Sequence, residues 1–505
     1  MSTEPQQSAP EALSQAGDDT GAGSLLDLAV ELTPLAERNL AERNLAEDLI
    51  RNLVVEANRG TIAYDKNVVY SLRQGIAKID EVVSKQLAEI MHHERFQKLE
   101  GSWRGLHYLC KNSNTNDELK IKVLNCTKRE LGQDFASASD FDQSETWRAV
   151  YEDEFGTPGG QPFGALVGDY EFENHPEDIS LLKGVSGVAA AAFAPFITAP
   201  SPKLFGLSGW EHLPQLTDLK TTFDSIEYAQ WKSFRASEDA RFVAMTMPRT
   251  LARFPYGRNT QAVDAFDFEE VPLSETGDSL RIDHDKYCWM NSAYTHATKL
   301  TQAFDETRWC TRIRGRHSGG AVEDLPTYPC LSPEGDTVLN CPTEVPIPDR
   351  RDNELSEVGF ISLSYYKGTD YAVFFGGQTV QNPKKYDEHQ ATENAAISAR
   401  LPYIMASSRI AHYLKCMVRD HIGSFKQGAD LEKFLNKWIR QYVTSAPDPN
   451  EQTRAEFPLA EAKITVMPIA GKPGSYNAVA QLRPWLQLEE LNTSVRMVTR
   501  VEERK

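Results

Sequence analysis

Paired cysteines are missing. Seven thiols in 505 residues (Cys110, Cys126, Cys288, Cys310, Cys330, Cys341 and Cys416) are scattered, odd in number and include no C-x-x-C pair. A long chain with so few thiols reads as a protein of a reducing compartment rather than a disulfide scaffold. Their spacing gives no recognisable zinc frame. The opening residues lack a basic segment followed by an apolar one, so no secretory signal is expected. Long hydrophobic runs are missing too: the smoothest, Val185 to Ala199, is too short for a bilayer span and Pro195 interrupts it. The expectation is a soluble cytoplasmic protein. Positive charge is in deficit, with 54 basic against 72 acidic side chains and a net charge of −18. Such a bulk field does not hold polyanions, and it suits a protein that must stay dissolved before it assembles.

The motifs of enzymes are likewise scarce. No G-x-x-x-x-G-K-[ST] occurs and no G-x-G-x-x-G joins a strand to a helix, so a phosphate-cradling loop is not supported. Gly319-Gly320 and Gly376-Gly377 read as turn or close-packing glycines. There is no G-x-S-x-G nucleophile elbow. His92-His93-Glu94 reads as a polar helix end, because adjacent helical positions point about 100° apart and no H-E-x-x-H follows. Asp283-His284-Asp285 fits a solvated loop as well as a cation site. Cys310 with His317 offers a thiol dyad on paper, but a buried structural cysteine is the default. No catalytic residue, cofactor or metal is assigned. The densest basic cluster, Arg308, Arg312, Arg314, Arg316 and His317, suits an acidic neighbour or salt bridges within the chain.

What is present is a long α/β pattern. Residues 1–23 are rich in Ser, Gln, Pro, Gly and Asp, a composition that buries too little apolar surface to order itself. Residues 24–58 are read as a helical and linker segment containing a tandem LAERN. Residues 59–390 are read as the main α/β domains, with a loop-rich insertion over about 200–285, and residues 391–505 as a helix pair followed by strands. Spacing predicts helices over 66–92, 176–193, 285–309, 393–425 and 431–443. Pro402 is expected to kink the fourth of these. Short runs predict strands from Leu119, over 163–167 and 195–199, and within 344–375. The tail reads as three strands, 462–469, 476–483 and 494–501, with a turn at Gly471 to Gly474. A strand this close to a chain end lies at a sheet edge unless another segment covers it.

Several separated stretches resemble one family. FGALVGDYEF (Phe163 to Phe172), APFITAPSPKLFG (Ala194 to Gly206), PRTLARFPYG (Pro248 to Gly257) and CPTEVPIPDRRDNELSEVGFISL (Cys341 to Leu363) are similar to the type VI secretion contractile sheath large subunits, the TssC (VipB/EvpB) family. SWRGLHYL (Ser102 to Leu109), SSRIAHYLKCMVRDHIGSF (Ser407 to Phe425), LEKFLNKWIRQYV (Leu431 to Val443) and RPWLQLEEL (Arg483 to Leu491) continue the match in order, from about residue 55 onward.

The resemblance implies an α/β (α+β) multi-domain fold like a contractile tail sheath, with a central mixed sheet, flanking helices and C-terminal strands shared between subunits. It implies a small sheath partner (TssB/VipA-like), stacked hexameric rings of the heterodimer, an Hcp inner tube, a baseplate and a ClpV-type unfoldase. SLLDLAVEL (Ser24 to Leu32) resembles the helix that the unfoldase recognises, with Leu25, Leu28, Ala29 and Leu32 as its apolar stripe. Val495, Met497 and Val501 are the expected apolar face of a shared strand, and Arg409 and Arg419 the expected inner-tube-facing charges of the 393–425 helix. Two other readings stay open: another contractile-tail or baseplate component, and a metabolic α/β enzyme.

Overall fold

A computed structural model describes residues 68–258, 260–271, 284–327, 329–331, 337–421, 428–444, 446, 448–468 and 476–485. The chain divides into two units, one of residues 1–90 with 256–272 and one of 91–255 with 273–505. In the first, helix α1 (Val68–Met91) buries Ser84 and Ala88, while Ile76, Ile79, Val82, Val83 and Ile90 are exposed. The segment after Tyr256 closes on itself. The buried Glu270 carboxylate accepts the Tyr256 N–H at 2.8 Å, and Arg258 pairs with Asp267.

The second unit begins with α2 (Glu94–Lys111) and α3 (Lys128–Ser137). Thr127 and Glu130 form a reciprocal capping box that starts α3. A mixed six-stranded sheet follows, its strands in the spatial order 166–172, 196–200, 243–247, 361–365, 372–374 and 321–322. Strands β1 (Leu166–Phe172), β2 (Phe196–Pro200) and β3 (Val243–Met247) pair in parallel. Helix α4 (Pro176–Ala192) joins β1 to β2. Pro176 sits in its first turn with Glu177 and Asp178, and Phe193 ends it in a left-handed conformation. Helix α5 (Ala229–Arg235) precedes β3, and the short pair β4 (Thr250–Leu251) and β5 (Trp289–Met290) leads into α6 (Ser292–Thr307). After β6 (Ala321–Val322), β7 (Pro329–Leu331) and β8 (Thr337–Leu339) come α7 (Asp349–Glu357), β9 (Ile361–Tyr365) and β10 (Ala372–Phe374).

Both faces of the sheet are covered. Phe196, Val243 and Met245 point into one core with Leu182, Val185 and Ala189 of α4 and with Trp210, Trp231 and Phe234. Ile197, Ala244 and Ile361 point into the other, with Ala293, Leu300 and Ala303 of α6. A strand buried on both sides shows no polar alternation, so its sequence is a plain apolar run. That is why the expectation of a loop-rich insertion over about 200–285 misses β3.

Two other expectations are corrected. Residues 119–126 belong to no strand. They are tied down by side chains, with the Tyr170 hydroxyl donating to the Cys126 carbonyl at 2.6 Å and Lys122 pairing with Glu154. Their alternating pattern is real, yet among the described residues no neighbouring strand completes a ladder. The helix expected over 393–425 is two helices, α8 (His389–Ser398) and α9 (Leu401–Asp420). Thr379 donates to the Ala399 carbonyl through N–H (3.2 Å) and hydroxyl (2.7 Å), and the Leu401 N–H bonds Gly377 at 2.8 Å. Pro402 therefore opens a helix, where its missing N–H costs nothing, instead of kinking one.

A third core joins α9, α10 (Gly428–Ile439) and a hairpin of β11 (Leu459–Pro468) and β12 (Tyr476–Pro484) around Trp309, Ile410, Leu435, Ile439 and Ile464. The apolar tail pattern over 462–469 and 476–483 is realised in this hairpin. The third expected strand, with Val495, Met497 and Val501, lies outside the described residues, as do Leu25, Leu28, Ala29 and Leu32.

Candidate assembly surface

The hairpin's pairing follows from where one residue points. Ile464 directs its N–H and C=O away from β12, to the Asn436 side chain at 3.0 and 2.6 Å. In an antiparallel pair a residue's two backbone groups face the same side and the side alternates along the strand. Lys463, Thr465 and Met467 therefore bond to β12, opposite Gln481, Val479 and Asn477. By the same alternation Ala478, Ala480 and Leu482 direct their backbone groups away from β11. The sheet holds these two strands alone, so among the described residues no strand lies on that outer side.

The hairpin's side chains divide by face in the same way. Ala462, Ile464, Val466, Ala480 and Leu482 meet α9 and α10, while Glu461 and Arg483 pair at 3.2 Å on the exposed face. This is an amphipathic two-stranded ribbon with one face seated, one edge that meets no strand among the described residues, and Val479 exposed beside it. A second open place is the 119–126 segment, where Val123 and Leu124 are 66% and 71% exposed.

The two arginines expected to face an inner tube differ. Arg409 lies over three rings, 4.7 Å from Phe304, 5.6 Å from Trp309 and 5.2 Å from Tyr413, and donates to the Tyr413 hydroxyl at 2.7 Å. Its cation is held inside the chain. Arg419 donates to the Cys416 sulfur at 3.7 Å, and its Nε and one Nη are buried with no hydrogen-bond partner among the described residues. Between them Lys415 lies over Phe155 at 3.5 Å, and His412 meets the Ala192 carbonyl at 2.8 Å. Burial holds the His412 imidazole below its usual range.

The other clusters are engaged locally. Arg308 pairs with Glu118 at 2.5 Å, Arg312 with Glu306 at 3.8 Å, and Arg316 stacks 5.4 Å from both Tyr366 and Tyr371. Burial pushes the Cys310 thiol up to about 11, away from a reactive thiolate. His284 lies 2.9 Å from the buried Glu344 carboxylate, which raises its pKa. Among the described residues no three His, Cys, Asp or Glu side chains gather as a metal site, and no helix is long and apolar enough to cross a membrane.

Sequence reasoning missed Asn436 and Glu432, the α10 side chains that meet β11. Their only signal was two polar residues four apart beside the apolar Leu431, Leu435 and Ile439.

Comparison with known proteins points to a tail-sheath protein. Residues 73–381 match the family described as EvpB/VC_A0108, tail sheath N-terminal domain, and residues 390–501 match EvpB/VC_A0108, tail sheath gpW/gp25-like domain. A type VI secretion system sheath protein TssC1 of Pseudomonas aeruginosa is 43% identical over 481 residues, 95% of each chain. The chain belongs to this family, the large sheath subunits of type VI secretion, and its role is structural and mechanical. Two solved structures are also similar, each at 10% identity. The anti-feeding prophage baseplate has a TM-score of 0.37 and covers 76% of this chain and 84% of its own. The contracted anti-feeding prophage helical sheath has a TM-score of 0.27, with 63% and 66% covered.

Proposed function

We propose that this chain pairs with a small sheath partner, and that the heterodimers stack as hexameric rings around an Hcp-type inner tube on a membrane-anchored baseplate in the bacterial cytoplasm. Contraction of the tube drives the inner tube outward, and a ClpV-type unfoldase recycles the contracted form through Leu25, Leu28, Ala29 and Leu32. The chain itself catalyses no reaction. The observation that carries this reading is the outer edge of β12, whose backbone groups at Ala478, Ala480 and Leu482 meet no strand among the described residues. Strand addition supplies hold through backbone bonds, each contributing about 1 kcal/mol net. The segment 494–501 of a neighbouring copy, with Val495, Met497 and Val501 on one face, has the pattern to provide it. The exposed Val123 and Leu124 offer the small partner an apolar contact. Contraction then draws on a metastable lattice, in which a small free-energy drop per subunit is multiplied along the tube.

Negative-stain microscopy of the chain co-expressed with a small sheath partner tests this. Long hollow tubes are the expected product, and compact particles alone would contradict the reading.

A further inference from the structure

The chain treats the two outer edges of its hairpin differently. Along β12 the outer backbone groups meet no strand among the described residues. Along β11, α10 lies beside the strand and two of its side chains stand where a neighbouring strand would. Asn436 Oδ1 accepts the Ile464 N–H at 3.0 Å, its Nδ2 donates to the Ile464 carbonyl at 2.6 Å, and Glu432 Oε2 accepts the Val466 N–H at 2.9 Å. A carboxamide carries an acceptor and donors on one planar group, so it can pair with both backbone groups of a single residue, as a strand does.

The spacing explains why a helix can do this. Four residues along a helix advance about 6 Å, and two along a strand about 6.8 Å. Side chains at i and i+4 therefore meet backbone groups at j and j+2, with α10 and β11 running in opposite directions. Asn436 Nδ2 also donates to the Glu432 carbonyl at 2.9 Å, which fixes the amide's orientation. Towards the start of β11 the cover continues, with Val443 bridging Leu459 and the Thr444 N–H reaching the Leu459 carbonyl at 3.4 Å.

We propose that Asn436 and Glu432 form an edge cap that closes β11 to strand addition, so that the 494–501 strand of a neighbouring copy enters only beside β12. An amphipathic hairpin open on both sides can take strands at either edge, and copies then join in more than one way. Closing one edge makes the join single-valued, with its register set by Ala478, Ala480 and Leu482. This rests on the reading that the hairpin receives a strand.

The test compares the full chain with the double variant Asn436→Ala/Glu432→Ala, with Asn436→Asp, which keeps an acceptor but loses the donor, and with Glu432→Gln, which keeps its acceptor. Hydrogen exchange over 459–468 and sedimentation without the small partner are the readouts. In the double variant the Ile464 and Val466 amides are expected to exchange about tenfold faster, and the chain to self-associate at concentrations where the parent stays monomeric. Asn436→Asp should fall between the two, and Glu432→Gln should match the parent. Unchanged exchange and unchanged sedimentation in the double variant would overturn the cap, as would self-association of Glu432→Gln equal to that of the double variant. Failure of the underlying reading looks different: tubes then survive the loss of the outer N–H at Ala480, whatever the cap variants do.

Discussion

Arg253 grips Glu100 with both arms of its guanidinium, Nε to Oε1 at 2.6 Å and Nη2 to Oε2 at 3.1 Å, and joins α2 to the turn after β4. The Arg253 side chain is only 5% exposed, and Arg104 holds the same carboxylate at 2.7 Å. Burial works to raise the Glu100 pKa, but the two guanidinium partners outweigh it and hold the carboxyl below its ordinary range. Removing one partner of a buried pair leaves the other charge uncompensated. Glu100→Ala should therefore cost about 3–5 kcal/mol in chemical denaturation, and Glu100→Gln less. Because the folded pKa is depressed, the pair's stabilisation is present above the unfolded carboxyl's pKa and lost as pH falls through the folded one.

His296 titrates in a different window. It is fully buried on α6, its ring lies 5.0 Å from Phe374, and neither nitrogen has a hydrogen-bond partner among the described residues. Burial pushes its pKa down to about 4. The unfolded imidazole binds a proton near pH 6.5, so stability is full above that value and declines as pH falls towards 4. Urea unfolding should show a loss of about 2 kcal/mol between pH 7 and pH 5 from this group alone. His296→Leu should remove that part of the pH dependence; an unchanged difference between the two pH values would refute it.

Arg409 and Arg419 should separate in a mutational test. Arg409 is caged by aromatic rings, so Arg409→Gln is expected to lower stability by about 1–2 kcal/mol. Arg419 has buried donors with no partner among the described residues, so Arg419→Met should leave the isolated chain as stable or slightly more so. If its donors serve the inner tube, the same change weakens co-purification with that tube. Thermal melts and tube pull-downs of both variants check this, and equal behaviour of the two would contradict it.

Proline placement distinguishes the two sides of β12. Proline removes one N–H, and an edge strand tolerates it only where that N–H faces outward. Ala480→Pro should leave the hairpin folded and abolish tubes. Val479→Pro removes a bond to β11 and should lower the melting temperature as well. Circular dichroism melts with microscopy of the co-expressed pairs read out both.

Much of this fold was legible where local physics acts alone. The helix over 176–193 carries its own signals in Pro176, Glu177 and Asp178, and the hairpin strands carry alternation. Long-range pairing left weaker traces. Val243 to Met247 looks like any apolar run until its neighbours β2 and β9 are known. The break at Arg400 depends on Gly377 and Thr379 from a distant loop. The candidate site divided the same way: a strand-bearing tail was readable, whereas the capping role of Asn436 required knowing that α10 lies along β11. Of the expected partner-facing residues, only Arg409 and Arg419 fall within the described chain.

Hydrogen-exchange mass spectrometry over 476–484, on the free chain and on assembled tubes, tests strand addition most directly. The amides of Ala478, Ala480 and Leu482 should exchange freely before assembly and slow at least about a hundredfold once another copy's strand lies beside them. Equal exchange in both states, or protection already complete in the free chain, would contradict the account.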